Sequence, residues 1–208
     1  MVNSFLDKTC WLLGAASLSA AIVVQAQQIP SIDLELQKSL PITLDADSSE
    51  FDRKNDLLKF RGLRITQGAL GIQADEAEAN QLDFDNSLWV FKGNVVIDSE
   101  NTRAYGDDAE IVFREHRLRS ATLRGAPARF EQERVEEDEI TQGRAKVMEY
   151  DMDSGIIRMA DDAWLSDGAN EVSGARITYD LTREYILADA DESGQVRMKI
   201  IPPERDQP

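Results

Sequence analysis

Residues 42–62, Ile-Thr-Leu-Asp-Ala-Asp-Ser-Ser-Glu-Phe-Asp-Arg-Lys-Asn-Asp-Leu-Leu-Lys-Phe-Arg-Gly, decide the fold. Ile42, Leu44 and Ala46 alternate with Thr43 and Asp45, the period of two that turns one face of a strand to a core and the other to water. The chain then passes an aromatic, Phe51, crosses a polar turn at 52–56, and returns as a second apolar strand ending in Phe60-Arg-Gly62. That plan recurs. Ala46–Phe51 is echoed by Ala79–Phe84, Ala109–Phe113, Ala145–Tyr150 and Ala175–Tyr179, with the aromatics 33, 29, 37 and 29 residues apart, and Phe60-Arg-Gly62 is echoed by Phe91-Lys-Gly93 and Leu123-Arg-Gly125. A hairpin-like unit of this kind cannot bury its own apolar face, but units stacked on one another can.

Alternation continues outside the quoted stretch. Val196, Met198 and Ile200 alternate with Arg197 and Lys199; Ala145 with Val147, and Ala175 with Ile177 and Tyr179, repeat the pattern. Turn signals separate the strands at Asp85-Asn86, Lys92-Gly93-Asn94, Gly106-Asp107, Asp153-Ser154-Gly155, Asp167-Gly168 and Ser193-Gly194. Helix is expected only as a short leader or an acidic turn around Glu133 to Asp138. The chain therefore reads as all-β: an open β-jelly roll, or elongated two-sheet β-solenoid, whose sheets face each other about 10 Å apart around an apolar trough.

Charge and rare residues narrow the chemistry. With 39 Asp+Glu against 23 Lys+Arg in 208 residues, the net charge is -16. Duplex nucleic acid and anionic membrane surfaces are unfavourable partners for such a chain. At 42% hydrophobic residues the composition still builds a core. One cysteine and one histidine supply neither a zinc site nor a disulfide scaffold. Asp151-Met-Asp153-Ser-Gly155 lacks the later Glu of a calcium loop and reads as a tight hairpin turn. Asp161-Asp162, Asp189 and Asp191 read as solvated turn carboxylates, and His116 as an exposed turn histidine. No metal, cofactor or phosphate loop is expected.

Residues 1–26 form a targeting segment. A polar start with Lys8 precedes a 14-residue apolar run, WLLGAASLSAAIVV, and then Val24-Gln25-Ala26, a small-residue cleavage site. At about 1.5 Å per residue the run is too short to span a bilayer core of about 30 Å, so a secretory signal peptide cleaved after Ala26 is expected. A polar leader, 27–40, a β domain, 41–201, and a loose tail, 202–208, follow. The mature chain keeps no cysteine.

The stretches 42–68, 125–132 (GAPARFEQ), 142–159 (QGRAKVMEYDMDSGIIRM), 172–186 (VSGARITYDLTREYI) and 196–202 (VRMKIIP), in that order, resemble the OstA-like family. Near 71–107 the chain carries about one repeat more than the family pattern. The resemblance implies a β-jelly roll open at both ends that carries lipopolysaccharide through the periplasm, holding the lipid A acyl chains between the sheets while the sugars stay in water. It implies lipid contacts at Ile42, Leu44, Phe130, Tyr150 and Met152, none catalytic; taken singly, each fits ordinary core equally well. It further implies a head-to-tail homo-oligomer and docking to inner- and outer-membrane transport proteins of the same fold, with energy supplied by an ATPase elsewhere. The terminal strands, 42–46 and 196–201, are open edges suited to β-augmentation, with Arg197 and Lys199 on the last and Asp45 and Asp47 on the first as charge partners across the joint. Equally, Arg197 and Lys199 are gatekeepers against aggregation. The rival readings are an inner-membrane-anchored sibling of the same fold, a jelly-roll glycan hydrolase and a structural β-solenoid without lipid.

Overall fold

The computed structural model describes residues 40–82, 84–134, 139–190 and 194–201. The chain divides into units 1–32 and 33–208, and every described residue lies in the second. The expected signal segment, the leader up to residue 39, residues 135–138 of the acidic turn, Asp191, Ser193 and the tail 202–208 fall outside the described residues. The described residues contain no helix. They form twelve strands: β1 (Thr43–Asp45), β2 (Ser48–Asp52), β3 (Leu57–Gln67), β4 (Leu70–Ala79), β5 (Asn86–Ser99), β6 (Thr102–Arg114), β7 (Arg117–Arg134), β8 (Glu139–Asp151), β9 (Ile156–Ser166), β10 (Asn170–Asp180), β11 (Tyr185–Asp189) and β12 (Arg197–Ile200). Each pairs antiparallel with its neighbour in the order β1-β3-β4-β5-β6-β7-β8-β9-β10-β11, with β2 also on β3 and β12 also on β10.

A crease divides this sheet into two layers. β3 bends at Gly62 (φ +59°) and β5 at Gly93 (φ +76°), in the left-handed region where glycine is unstrained. Further along, the ladders slip register at Tyr105/Asp108, Arg124/Ala128, Arg144/Val147 and Gly174/Arg176. An extra residue within a strand turns every later side chain of that strand to the opposite face, so the sequence must change parity there to keep apolar groups inside. It does. On β3 the buried positions are Leu58 and Phe60, then Leu63 and Ile65; on β10 they are Val172, then Ile177 and Tyr179. We call the layer holding β2, β11 and the 57–61 half of β3 the A layer. The B layer holds β1, β12 and the 63–67 half. Eight long strands are common to both, and one short strand closes each edge of each layer, ten strands per layer.

Inward positions line up in rows that cross every strand. In the A layer one row runs Phe51, Leu58, Ala79, Trp89, Ile111, Ala121, Tyr150, Ile157, Tyr179, Ile186. In the B layer another runs Leu44, Ile65, Ile72, Ile97, Ala104, Phe130, Gly143, Leu165, Val172, Met198. A small residue makes room for a large neighbour where the row is tightest: a Cβ on Gly143 would collide with the Phe130 ring of the adjacent strand. The two positions are therefore coupled. Gly143→Ala alone is expected to cost about 2 kcal/mol and Phe130→Ala about 3 kcal/mol, with the double variant at least about 1 kcal/mol better than their sum, because the added methyl fills the void left by the ring. Urea unfolding of the four proteins measures this; strict additivity would refute the coupling.

Three expectations are corrected. Lys92-Gly93-Asn94 and Gly106-Asp107 are not turns but creases in the middle of β5 and β6. Asp161 and Asp162 likewise lie in the bulge of β9, where both adopt positive φ, and Lys146 Nζ stands 2.7 Å from Asp162. Val196, Met198 and Ile200 do not sit on a half-buried strand, because nothing described lies beyond β12. The turns at Asp85-Asn86, Asp153-Ser154-Gly155 and Asp167-Gly168 are where the sequence places them. The Asp151 carboxylate accepts the backbone N–H groups of Asp153 and Ser154 (3.0 and 3.1 Å), the hairpin-turn role expected of it. His116 is exposed in the β6–β7 turn.

Candidate functional site

Between the layers, at the edge where the described chain begins, lies an apolar cleft of about 640 Å³. Leu40, Pro41, Ile42 and Leu44 line it from the B-layer side; Phe60, Leu82, Phe84 and His116 line it from the A-layer side. The predicted residues Ile42 and Leu44 thus lie in the cleft itself, half-buried against the core. Gln67, at the rim end of β3, bridges the layers: its side-chain amide donates to the carbonyls of His116 (3.1 Å) and Leu40 (3.4 Å).

The other three predicted contacts lie further along the interior. Phe130 sits in the Leu44–Met198 row and is 3% exposed, packed on Gly143. Tyr150 occupies the Phe51–Ile186 row, half-buried, and Met152 follows it at the β8–β9 turn, also packed on the core. Burial, then the neighbouring Asp151 charge, pushes the Tyr150 phenol above its ordinary value, so it stays neutral. All five residues pack against the interior, but they do not form one cluster: two line the cleft, Phe130 and Tyr150 stand in the rows, and Met152 lies at the β8–β9 turn.

Sequence reasoning missed the aromatic centre of the interior. Trp89 is fully buried, stacked on Phe60, Phe84 and Phe91 with centroids 5.7, 5.0 and 6.0 Å away, and Phe113 meets it edge-on at 6.5 Å. Its indole N–H donates to Ser87 Oγ, 3.2 Å away. The signal was available: Phe60, Phe84, Phe91 and Phe113 were the repeat's own markers.

At the far edge, both layers end in uncovered apolar side chains. Tyr185, Ile186 and Leu187 of β11, and Met198 and Ile200 of β12, are all exposed; Met198 is 66% exposed and Ile200 70%. Ile186 and Met198 are the last members of the two inner rows, and Phe51, 54% exposed, begins the A-layer row. Of the predicted edge charges, Lys199 already pairs within the chain with Glu171 (2.9 Å). That bond, followed by one from the Trp164 indole, holds the Glu171 carboxyl below its ordinary value. Asp47 lies over Gly62 at the crease, where a Cβ would collide with its carboxylate. Asp45 and Arg197 end the same outward row, opposite Arg64 on one edge and Ser173 on the other. Among the described residues no cluster of His, Cys, Asp or Glu could hold a metal ion, and no helix is long and apolar enough to cross a membrane.

Comparison with known proteins places these features in context. The family described as LptA/(LptD N-terminal domain) LPS transport protein matches residues 72–185. The lipopolysaccharide export system protein LptH of Pseudomonas aeruginosa is 25% identical over 126 residues, 60% of this chain and 70% of that protein. The lipopolysaccharide export system protein LptA of Escherichia coli K12 is 22% identical over 187 residues, 89% of this chain and 84% of that protein. The crystal structure of LptH, the LptA-homologous periplasmic component of the lipopolysaccharide transport device of Pseudomonas aeruginosa, superposes with a TM-score of 0.51 at 20% identity, covering 80% of this chain and 99% of the other. That likeness shows a shared fold.

Proposed function

Because the chain belongs to the LptA/LptD N-terminal family of lipopolysaccharide transport proteins, we propose that it is a periplasmic lipopolysaccharide carrier that bridges the inner and outer membranes. It holds acyl chains between its A and B layers and leaves the sugars in water. The observation that carries this reading is the pair of inner rows, apolar from one sheet edge to the other and ending in uncovered residues at the far edge. A methylene hidden from water is stabilised by about 0.8 kcal/mol, so a multi-chain lipid needs a continuous apolar track. A cleft of about 640 Å³ is of the size that takes a small ligand, so a whole lipid requires the layers to part. A surface of net charge -16 has little attraction for phosphorylated sugars, and the tails then dominate binding. The chain acts by binding, not catalysis, and the energy of transport comes from elsewhere. Residues 1–26 are its export signal, removed after Ala26 to leave Gln27 first.

Assembly follows from the same rows. With ten strands per layer, a second copy in the same orientation sets its β1 antiparallel to β12 and its β2 antiparallel to β11, and both ladders continue unbroken. The rows then place Leu44 beside Met198, Phe51 beside Ile186, and Asp45 beside Arg197. Such an ion pair contributes about 0.2–1 kcal/mol and sets register more than affinity. Arg197→Glu is expected to weaken self-association roughly threefold at low salt and hardly at all at high salt; equal behaviour at both salt concentrations in sedimentation would exclude the pair. The terminal edges are likewise the surfaces for membrane-bound transport proteins of the same fold.

Photo-crosslinking tests the carrier reading. A photoreactive residue at Leu44 or Tyr150 should capture labelled lipopolysaccharide at least about tenfold more efficiently than one at exposed Arg183. Equal capture at the three sites would defeat it.

A further inference from the structure

The B layer changes character at its free rim. One step outward from the Leu44–Met198 row, the inward positions are Ser99, Thr102, Gln132 and Thr141, aligned in register across β5 to β8. At about 4.8 Å per strand the row runs roughly 14 Å. None of the four carries a charge, although the outward neighbours Arg103 and Glu131 do. The corresponding rim of the A layer is largely apolar: Ser87, Phe113 and Leu118 are in register, and the Ser87 hydroxyl is already used by Trp89. One rim is greasy and the other is a neutral hydrogen-bonding strip.

Thr141 makes the strip more than a surface accident. It is 1% exposed, and its hydroxyl has no hydrogen-bond partner. A buried hydroxyl left unsatisfied is destabilising, and valine would fit the same space without that cost. An orphan donor retained on an inner face points to a partner that arrives with a ligand. Hydroxyl and amide N–H groups match neutral carbonyl oxygens, whereas a phosphate calls for arginine or lysine.

We propose that Ser99, Thr102, Gln132 and Thr141 form a subsite for the uncharged carbonyl linkages that join a lipid's acyl chains to its sugar. The subsite rests on the carrier reading and adds to it a way of fixing depth. The tails lie below the strip on apolar rows, the linkages hydrogen-bond to it, and the charged sugar groups remain outside.

Two probes separate the subsite from the carrier reading: purified lipid A, which has such linkages, and N-phenyl-1-naphthylamine, an apolar molecule without a carbonyl. In the Thr102→Val/Gln132→Leu/Thr141→Val variant, lipid A affinity should fall about tenfold while naphthylamine affinity stays within twofold. Thr102→Val/Gln132→Leu/Thr141→Ser keeps the hydroxyl at that position and should recover part of the loss. Thr141→Val alone should raise the melting temperature of the lipid-free protein by about 3 °C while weakening lipid A binding, the opposite of what a packing defect would do. Lipid A affinity unchanged by the triple substitution, or equal loss for both probes, overturns the subsite and leaves the carrier reading standing. A wild-type protein that binds naphthylamine but not lipid A overturns both.

Discussion

Trp89→Ala is expected to lower the stability of the folded domain by about 4 kcal/mol and its melting temperature by roughly 10 °C. Trp89 is fully buried, stacked on three phenylalanines and edge-on to a fourth, and held by a hydrogen bond to Ser87. Its replacement by alanine removes the largest side chain of the interior and leaves a cavity that four strands would have to collapse to fill. Trp89→Phe keeps the stack and should cost only about half as much. Denaturant unfolding followed by circular dichroism measures both; a loss under about 1 kcal/mol for alanine would mean that the aromatic cluster does not anchor the fold. Trp89 would also report on the proposed cargo. In the chain from residue 27 onward the only other tryptophan is Trp164, on the outer face. With Trp164→Phe in place, parting of the layers around acyl chains should shift the emission of the remaining indole.

The second large effect is at the far edge. The double substitution Ile186→Asp/Met198→Asp should weaken self-association by about a thousandfold, close to 4 kcal/mol, while leaving the melting temperature of the single copy within about 2 °C. Both residues end inner rows and are exposed in one copy, so a carboxylate at either position is solvated until a neighbour arrives. Continuing the ladder would bury that charge between layers without a partner. Leu187→Asp is an internal control, because Leu187 is on the same strand but faces outward opposite Thr178. It should weaken association far less than Ile186→Asp. Equal effects at the two positions in sedimentation would mean that the rows do not run on from copy to copy.

Much of the fold is legible in the alternation of residues such as Ile42–Ala46 and in the spacing of Phe84, Phe113, Tyr150 and Tyr179. The family resemblance carried the jelly-roll form. The crease was misread because glycine next to a polar residue serves a hairpin turn and a mid-strand bulge equally well, and the left-handed backbone of Gly93 and Asn94 suits either. Parity distinguishes them. Across Gly62 the inward residues go from Phe60 to Leu63, a jump of three that a strand crossing a bulge makes and a hairpin need not. Phe51 shows a different limit. It fits the repeat as well as Phe84 does, yet stands half out of the domain, because an edge strand has a neighbour on one side only. For the site, Ile42 and Leu44 lie half-buried in the cleft. Nothing in composition separates an inner residue that touches cargo from one that only packs, since both must be apolar. The reach of Lys199 to Glu171 and of Asp47 to Gly62 depends on register, which local sequence does not specify.

The even number of strands in each layer restricts how such a molecule can change length in evolution. If copies join end to end as proposed, a single added strand would reverse the polarity of one terminus, so that the next copy met a parallel edge with its crease out of line. Insertions that keep the chain joinable must therefore come as whole hairpins, and relatives of different size should differ by roughly one repeat at a time.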